Sequence, residues 1–301
     1  MPKAGGTEST ESTESTGNAG SAEGVVTGAG ARAGTAVGTG PGKRSAGGPS
    51  GRGFGGGFGG AVGAEWAKLW SLRTPYVCLL VGFLLTGVFT YYYGAVARIN
   101  DKPVQPLGNA PVSSVMLGQF TVIVMAMVMV TSEYGTGSIR SSLLWVPVRH
   151  RVQLAKALVA AAVAFAAGIS FSVLGMAVAR IPFRGHASFD AAEAAGQTLA
   201  VGAYCALVAV LTVGTAFVVR TAAGALSAVF VLVSVLPSIC TGLGGEFLLA
   251  VNDHLPQTSG GHFMLGADGA PYPRPVGLLI MVAWTGAAHL AGRLVLRRRD
   301  A

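Results

Sequence analysis

The chain has 301 residues, of which 51% are hydrophobic and 11% charged, with a formal net charge of +8. Soluble domains carry about 25% charged residues, so this composition excludes an ordinary soluble protein and favours a multi-pass membrane protein. The positive charge needs no nucleic-acid partner, because membrane proteins concentrate Lys and Arg on their cytoplasmic side and near anionic lipid.

Residues 1–60 form a region of different composition. The triplet EST recurs between Glu8 and Thr16, and Gly, Ala and Ser dominate from there to Gly60. A segment with so few large apolar residues cannot offset its ordering entropy, so we predict a disordered cytoplasmic tail. The spacing of Gly55, Gly57 and Gly60 matches G-x-G-x-x-G, but no strand precedes it and we predict no nucleotide site.

Residues 61–301 contain six apolar runs, each long enough to cross a bilayer. A hydrocarbon core of about 30 Å needs ~20 mostly apolar residues in a helix. The predicted spans are residues 76–97, 112–131, 157–179, 197–219, 224–242 and 276–292. The predicted fold is therefore an all-α, polytopic membrane domain with six transmembrane helices.

The distribution of Lys and Arg predicts the orientation of these spans. Most basic residues outside the tail fall in segments that must share one side of the membrane: Lys68, Arg73, Arg140, Arg149, Arg151, Lys156, Arg220, Arg293, Arg297, Arg298 and Arg299. In the loops of the other side, acidic residues balance the basic ones. Short cytoplasmic loops carry the basic excess, so we expect both termini in the cytoplasm.

The chain shows no arrangement of residues that indicates catalysis or metal binding. The three cysteines fall inside predicted spans without ligand spacing, and the histidines are scattered. We therefore predict that the chain is not an enzyme and holds no catalytic, metal or cofactor site. A membrane-embedded enzyme would depend on Asp253, His254 or His262 in an outer loop.

Residues 64–75, AEWAKLWSLRTP, precede the first span and have helical spacing. One side of this helix is predicted to carry Trp66, Leu69, Trp70 and Arg73. Glu65 and Lys68 are expected to face water. Such a helix can lie along the inner membrane interface, although the pattern also fits the water-facing end of the first span.

Residues 132–156, SEYGTGSIRSSLLWVPVRHRVQLAK, form a basic loop between the second and third spans. Gly135 and Gly137 loosen the chain below the second span. A short amphipathic stretch follows, with Ile139, Leu143, Leu144 and Val146 around Arg140, and Pro147 ends it. Basic residues Arg149, Arg151 and Lys156 come next. Apolar side chains on a short cytoplasmic loop need a cover, which is either lipid or a partner protein.

These two segments resemble permease subunits of the second class of ABC exporters, in their actinobacterial form. Residues 64–75 resemble that family's interfacial helix, and LRRRDA at Leu296–Ala301 resembles its C-terminus. The loop matches at Glu133, Gly137, Ile139, Arg140, Leu143, Pro147, Arg149 and Lys156. HLPQTSGG at His254–Gly261 is similar to a partly re-entrant stretch between the fifth and sixth spans.

The resemblance implies a plasma-membrane permease that exports a substrate with ATP and magnesium bound on separate ABC ATPase subunits. A second permease copy, identical or related, would complete it. The loop would act as a coupling helix, with Ile139, Leu143 and Leu144 in an apolar cleft of the ATPase. Arg140 and Arg149 would meet its acidic rim, and Glu133 would hold the loop through Arg140.

The sequence leaves open the identity of the substrate and a second possible function. The spans are rich in Ala, Val, Leu and Gly, with scattered polar residues such as Gln119 and Tyr204, which favours an apolar or amphiphilic substrate in contact with membrane lipid. A membrane scaffold or sensor, with the tail as its binding arm, is the alternative function.

Overall fold

The computed structural model describes residues 57–137, 149–266 and 270–298, and within them nine helices are found. In chain order they are α1 (Phe58–Ser71), α2 (Thr74–Ile99), α3 (Asn109–Thr136), α4 (Arg149–Phe183), α5 (Ala191–Val219), α6 (Ala222–Leu243), α7 (Glu246–Asp253), α8 (Pro256–Leu265) and α9 (Arg274–Arg298). Two short strands, β1 (Gln105–Pro106) and β2 (Ala187–Ser188), pair in parallel.

Helices α2 to α6 and α9 are long and apolar enough to cross a membrane. They span 22 to 35 residues, and a helix of about 20 residues is 30 Å long. Within the described residues this confirms the predicted helical architecture with six candidate spans, which is that of a multi-pass membrane protein. Each predicted span lies inside one of these helices, which continue past it because the backbone hydrogen bonds extend into the flanking polar residues.

Helices α3 and α5 form the centre of the bundle. In their most apolar windows 72% and 67% of the residues are buried, against 17% in α9. Small residues bring α4 onto α5: a Cβ atom added to Gly168 would lie 2.9 Å from the Cα atom of Gly202. Close approach of this kind is how membrane helices gain packing energy without a hydrophobic driving force between them.

A proline changes the helical geometry inside α6. Residues Val231–Val235 form a π-helical turn directly before Leu236 and Pro237. Proline has no N–H and its ring clashes with the carbonyl four residues earlier, so a wider turn at this point accommodates it. The helix therefore continues to Leu243 instead of ending at the proline.

The bundle has two ends, which we name by their contents. At the α1 end, α1 meets the end of α3 and the beginning of α4, and the α5–α6 turn at Arg220 lies beside Tyr134. At the strand end, β1 and β2 pair, and Tyr93 near the end of α2 contacts Phe183 at the end of α4. The predicted disordered tail lies outside the described residues up to position 56.

Candidate functional site

Helix α1 begins at Phe58, six residues before the predicted start. Two of its side chains, Glu65 and Leu69, are buried against the bundle. Leu69 is buried as the helical pattern predicts, while Trp66 is 46% exposed. The expectation that Glu65 faces water is wrong, because this side chain is buried. Residues four apart share one helix face, so Glu65 follows Leu69 into the bundle.

Buried Glu65 belongs to a cluster of four charged side chains, Glu65, Lys68, Glu133 and Lys156, which we call the ion-pair cluster. The Lys156 ammonium donates to Glu65 Oε2 at 2.5 Å, to Glu133 Oε1 at 2.9 Å and to the Met129 carbonyl at 3.1 Å. These bonds use all three of its protons. Lys156, the most deeply buried of the four, is only 1% exposed.

The second lysine, Lys68, lies at the solvent-exposed edge of the cluster. Lys68 Nζ lies 2.9 Å from Glu65 Oε1 and 2.9 Å from Glu133 Oε1. Its side chain is 46% exposed, so the prediction that Lys68 faces water is only half right. Burial opposes the charged form of Lys68, but hydrogen bonds to Glu133 and Glu65 outweigh it and raise the pKa of this lysine.

The cluster is neutral as a whole and joins three segments. Glu65 and Lys68 come from α1, Glu133 from the last turn of α3 and Lys156 from the third turn of α4. Charged groups inside a membrane protein persist when they pair with one another, and here each carboxylate meets both ammonium groups. The arrangement clamps α1 onto the helices on either side of the predicted coupling loop.

Only the two borders of that loop lie within the described residues. Gly137 ends α3 in a left-handed conformation with φ of 72°, which glycine adopts without strain. Arg149 begins α4. The predicted contact residues Ile139, Arg140, Leu143, Leu144 and Pro147 lie outside the described residues.

The predicted contact of Glu133 with Arg140 stays a prediction, because Arg140 lies outside the described residues. Within the described residues, Glu133 pairs with Lys68 and Lys156. Sequence reasoning named Glu133 and Lys156 but missed that they meet each other and Glu65. The available signal was that all four charges adjoin apolar helical faces, where an ionisable residue needs a partner.

Of the other predicted residues of the interfacial helix, Trp70 and Arg73 lie near the junction with α2. The rings of Trp66 and Trp70 are 5.7 Å apart, and Trp70 lies 5.4 Å from the ring of Tyr76. Arg73 directly precedes α2. Aromatic rings grouped in this way are typical of the boundary between water and lipid.

A cavity of about 350 Å³ adjoins the ion-pair cluster. All four cluster residues line it, together with apolar and hydroxyl side chains from α1, α3 and the residue after α1: Leu69, Ser71, Leu72, Met129, Ser132 and Thr136. Its position between α1 and the end of α3 places it beside the point where the chain leaves α3 for the loop. Movement of the loop border would therefore change the surroundings of the cluster directly.

A second polar network lies deep among the spans. Tyr204 on α5 donates to Gln119 Oε1 on α3 at 2.6 Å, and Gln119 Nε2 donates to the Met116 carbonyl at 2.8 Å and to Gln257 of α8 at 3.4 Å. Gly260 of α8 packs directly on the Tyr204 ring. Part of the His254–Gly261 stretch thus forms a helix that packs onto the central helices.

The structure brings together the three residues on which the enzyme alternative depends. Asp253 Oδ1 lies 3.7 Å from His262 Nε2, and the Tyr272 hydroxyl donates to the Asp253 carbonyl. The centre of the Tyr272 ring lies 5.9 Å from that of His254 and 5.3 Å from that of His262. Burial, followed by the nearby Asp253 charge, raises the pKa of Tyr272 to about 12. The Asp253–His262 distance exceeds that of a hydrogen bond.

No protein-family model matches the chain, and a search of curated proteins finds no relative.

Proposed function

We propose that this chain is the membrane-spanning permease subunit of an ABC exporter of the second class, acting with separate ATPase subunits in the plasma membrane. The observation that carries the proposal is the ion-pair cluster, which holds α1 against both helices that border residues 138–148. Buried charges are costly in a membrane protein and usually mark a functional element. Here they tie the loop borders to an interfacial helix.

The cluster supports a mechanical role for the loop. Glu133 lies in the last turn of α3, shortly before Gly137, and Lys156 lies in the third turn of α4. A force on the loop reaches both residues through continuous helix, and their salt bridges pass it to α1. Two arrangements of this unit that differ by a few kcal/mol would be enough to couple nucleotide state to the spans.

In this proposal the basic residues at the α1 end place the loop of residues 138–148 on the cytoplasmic side. Lys68, Arg73, Arg149 and Arg220 all lie at the α1 end, as the positive-inside rule requires of a cytoplasmic face. An ATPase would then meet the apolar residues Ile139, Leu143 and Leu144, with Arg140 and Arg149 facing acidic groups on its rim. ATP and magnesium belong to that partner subunit.

The proposed class of substrate rests on the apolar side chains of the spans. Apolar side chains cover the outward faces of α2, α6 and α9, including Leu84, Ile239 and Leu279. Between the spans, hydroxyl and amide side chains pair with one another, as in Thr90–Ser114, Ser172–Thr198 and Tyr204–Gln119. Such surfaces suit an apolar or amphiphilic substrate that moves beside lipid or between two permease copies.

Co-purification with matched variants tests this function. The tagged chain is purified from its own membrane, and its partners are identified by mass spectrometry. The loop variant Leu143→Asp with Arg149→Glu is compared with Ile99→Asp with Arg98→Glu, which makes the same kinds of change at the strand end, where Ile99 is 75% exposed.

The proposal predicts an ABC ATPase with the native chain and with the strand-end variant, and its loss from the loop variant. Absence of an ATPase from the native chain would refute the permease function and favour the scaffold or sensor. Retention of the ATPase by the loop variant would refute the role of the loop.

A further inference from the structure

Away from the ion-pair cluster, a pair of arginines at the strand end lines a second cavity. This cavity has a volume of about 190 Å³ and lies where α4 ends and the chain turns into β2. Arg180 and Arg184 are both among its lining residues, with Leu107, Phe183 and Phe189 as apolar walls. A site of this size exceeds what a single water molecule needs.

No carboxylate in the described part of the chain neutralises the positive charge of this cavity. Its lining residues include no Asp or Glu, and within the described ranges neither arginine has a carboxylate at salt-bridge distance. The nearby Asp190 caps α5 instead, accepting from the backbone N–H groups of Ala192 and Glu193 at 2.7 and 3.1 Å. Two guanidinium groups therefore share a cavity that lacks a carboxylate.

Each arginine has a distinctive local structure. The Arg180 guanidinium lies 5.0 Å from the centre of the Phe189 ring, a cation–π contact that orients the side chain. Arg184 has a φ of 42°, which is sterically unfavourable for a residue with a Cβ atom. This backbone conformation is uncommon for a residue other than glycine, so the turn that carries Arg184 is locally strained.

The apolar surroundings indicate what kind of anion fits. Ile181, next to Arg180, is 63% exposed at the end of a membrane-spanning helix, and Phe189 is 58% exposed beside the cavity. A ligand in this cavity has two arginines and the apolar side chains of Leu107, Phe183 and Phe189 as its lining. Arginine pairs with phosphate through two parallel hydrogen bonds, so a phosphate ester with acyl chains matches the site best.

We propose that Arg180 and Arg184 form a binding site for the phosphate headgroup of an anionic phospholipid, with its acyl chains along Phe189 and Ile181. The site does not depend on the proposed transport function. The shared chemistry is that of a phosphate ester, which either a membrane lipid or a small free phosphate could supply, and the experiment below separates these sources.

The test is a titration of the full-length protein, in micelles containing phosphatidylcholine, with phosphatidylglycerol. Thermal melting and native mass spectrometry measure binding. The variant Arg180→Gln with Arg184→Gln is compared with Arg98→Gln with Lys102→Gln, which removes the same charge at the same end away from the cavity lining. We expect the native protein and the control to bind equally, and the cavity variant to bind about tenfold more weakly or worse.

Equal binding by the cavity variant and the control would overturn the site. A shift in melting temperature as large with glycerol 3-phosphate as with phosphatidylglycerol would overturn the role of the acyl chains. If the double variant does not fold, Arg184→Gly replaces it, since glycine relieves the unfavourable φ. That variant is expected to melt at the same or a higher temperature without phosphatidylglycerol and to gain less from it, whereas an undiminished gain would contradict the proposal.

Discussion

Replacing Lys156 by methionine should destabilise the protein far more than the same change at Lys68. Both lysines contact the same two carboxylates, but Lys156 is 1% exposed and Lys68 46%. Loss of Lys156 leaves Glu65 and Glu133 buried beside a half-exposed lysine, and removal of one member of a buried pair costs about 3–5 kcal/mol. Lys68 is half-exposed, so water already solvates part of its charge, and Lys68→Met should cost less than Lys156→Met.

The free energy of unfolding can be measured in mixed detergent micelles, with far-UV circular dichroism as the signal. Lys68→Met is the matched control, since it removes the same chemical group from the same cluster. Adding Glu65→Gln to Lys156→Met removes the one uncompensated charge of the cluster, and we expect it to recover about 0.5–3 kcal/mol as coupling between the two sites. Equal and small costs for the two lysine variants would refute the burial argument.

Three further predictions concern pH and packing. Since the pKa of Lys68 is raised in the folded protein above its ordinary 10.5, its contribution to stability is complete below about pH 10.5. That contribution is lost as the pH rises through the raised value, and an alkaline melting series on native and Lys68→Met proteins should show this loss in the native protein alone. Gly260→Ala should cost about 1–3 kcal/mol, because its Cβ would overlap the Tyr204 ring, whereas Gly261→Ala, 3.6 Å from the nearest side chain, should be tolerated; equal melting temperatures would contradict this. Tyr204→Phe should cost about 1–3 kcal/mol by removing the donor to Gln119, and an unchanged free energy of unfolding would show that another group satisfies this amide.

The spans could be predicted from the sequence because each depends on a local property, a run of about 20 apolar residues. Each predicted span falls inside one helix, such as residues 112–131 inside Asn109–Thr136. The helix ends extend further, since polar residues at the interface keep their helical hydrogen bonds. The short helices α7 and α8 were not predicted as helices, because neither has a long apolar run and the Pro, Ser and Gly content of His254–Gly261 favours a turn.

The ion-pair cluster could not be predicted because it depends on which helices are neighbours. Lys156 meets Glu133 across 23 positions of sequence and Glu65 across 91. The sequence singled out all four residues, but the expectation that Glu65 faces water was wrong, because the helix buries that side chain. The Tyr204–Gln119 bond was hidden in the same way, although both were noted as polar residues within spans.

The most direct test of the account is ATP hydrolysis by the protein and its co-purified ATPase in proteoliposomes. The native complex is compared with one in which Glu65→Gln and Glu133→Gln weaken the ion-pair cluster, after equal recovery of the ATPase has been verified. The account predicts steady hydrolysis by the native complex and a substantially lower rate with the variant. No hydrolysis by material purified with the native chain would contradict the permease function, and equal rates would contradict coupling through the cluster.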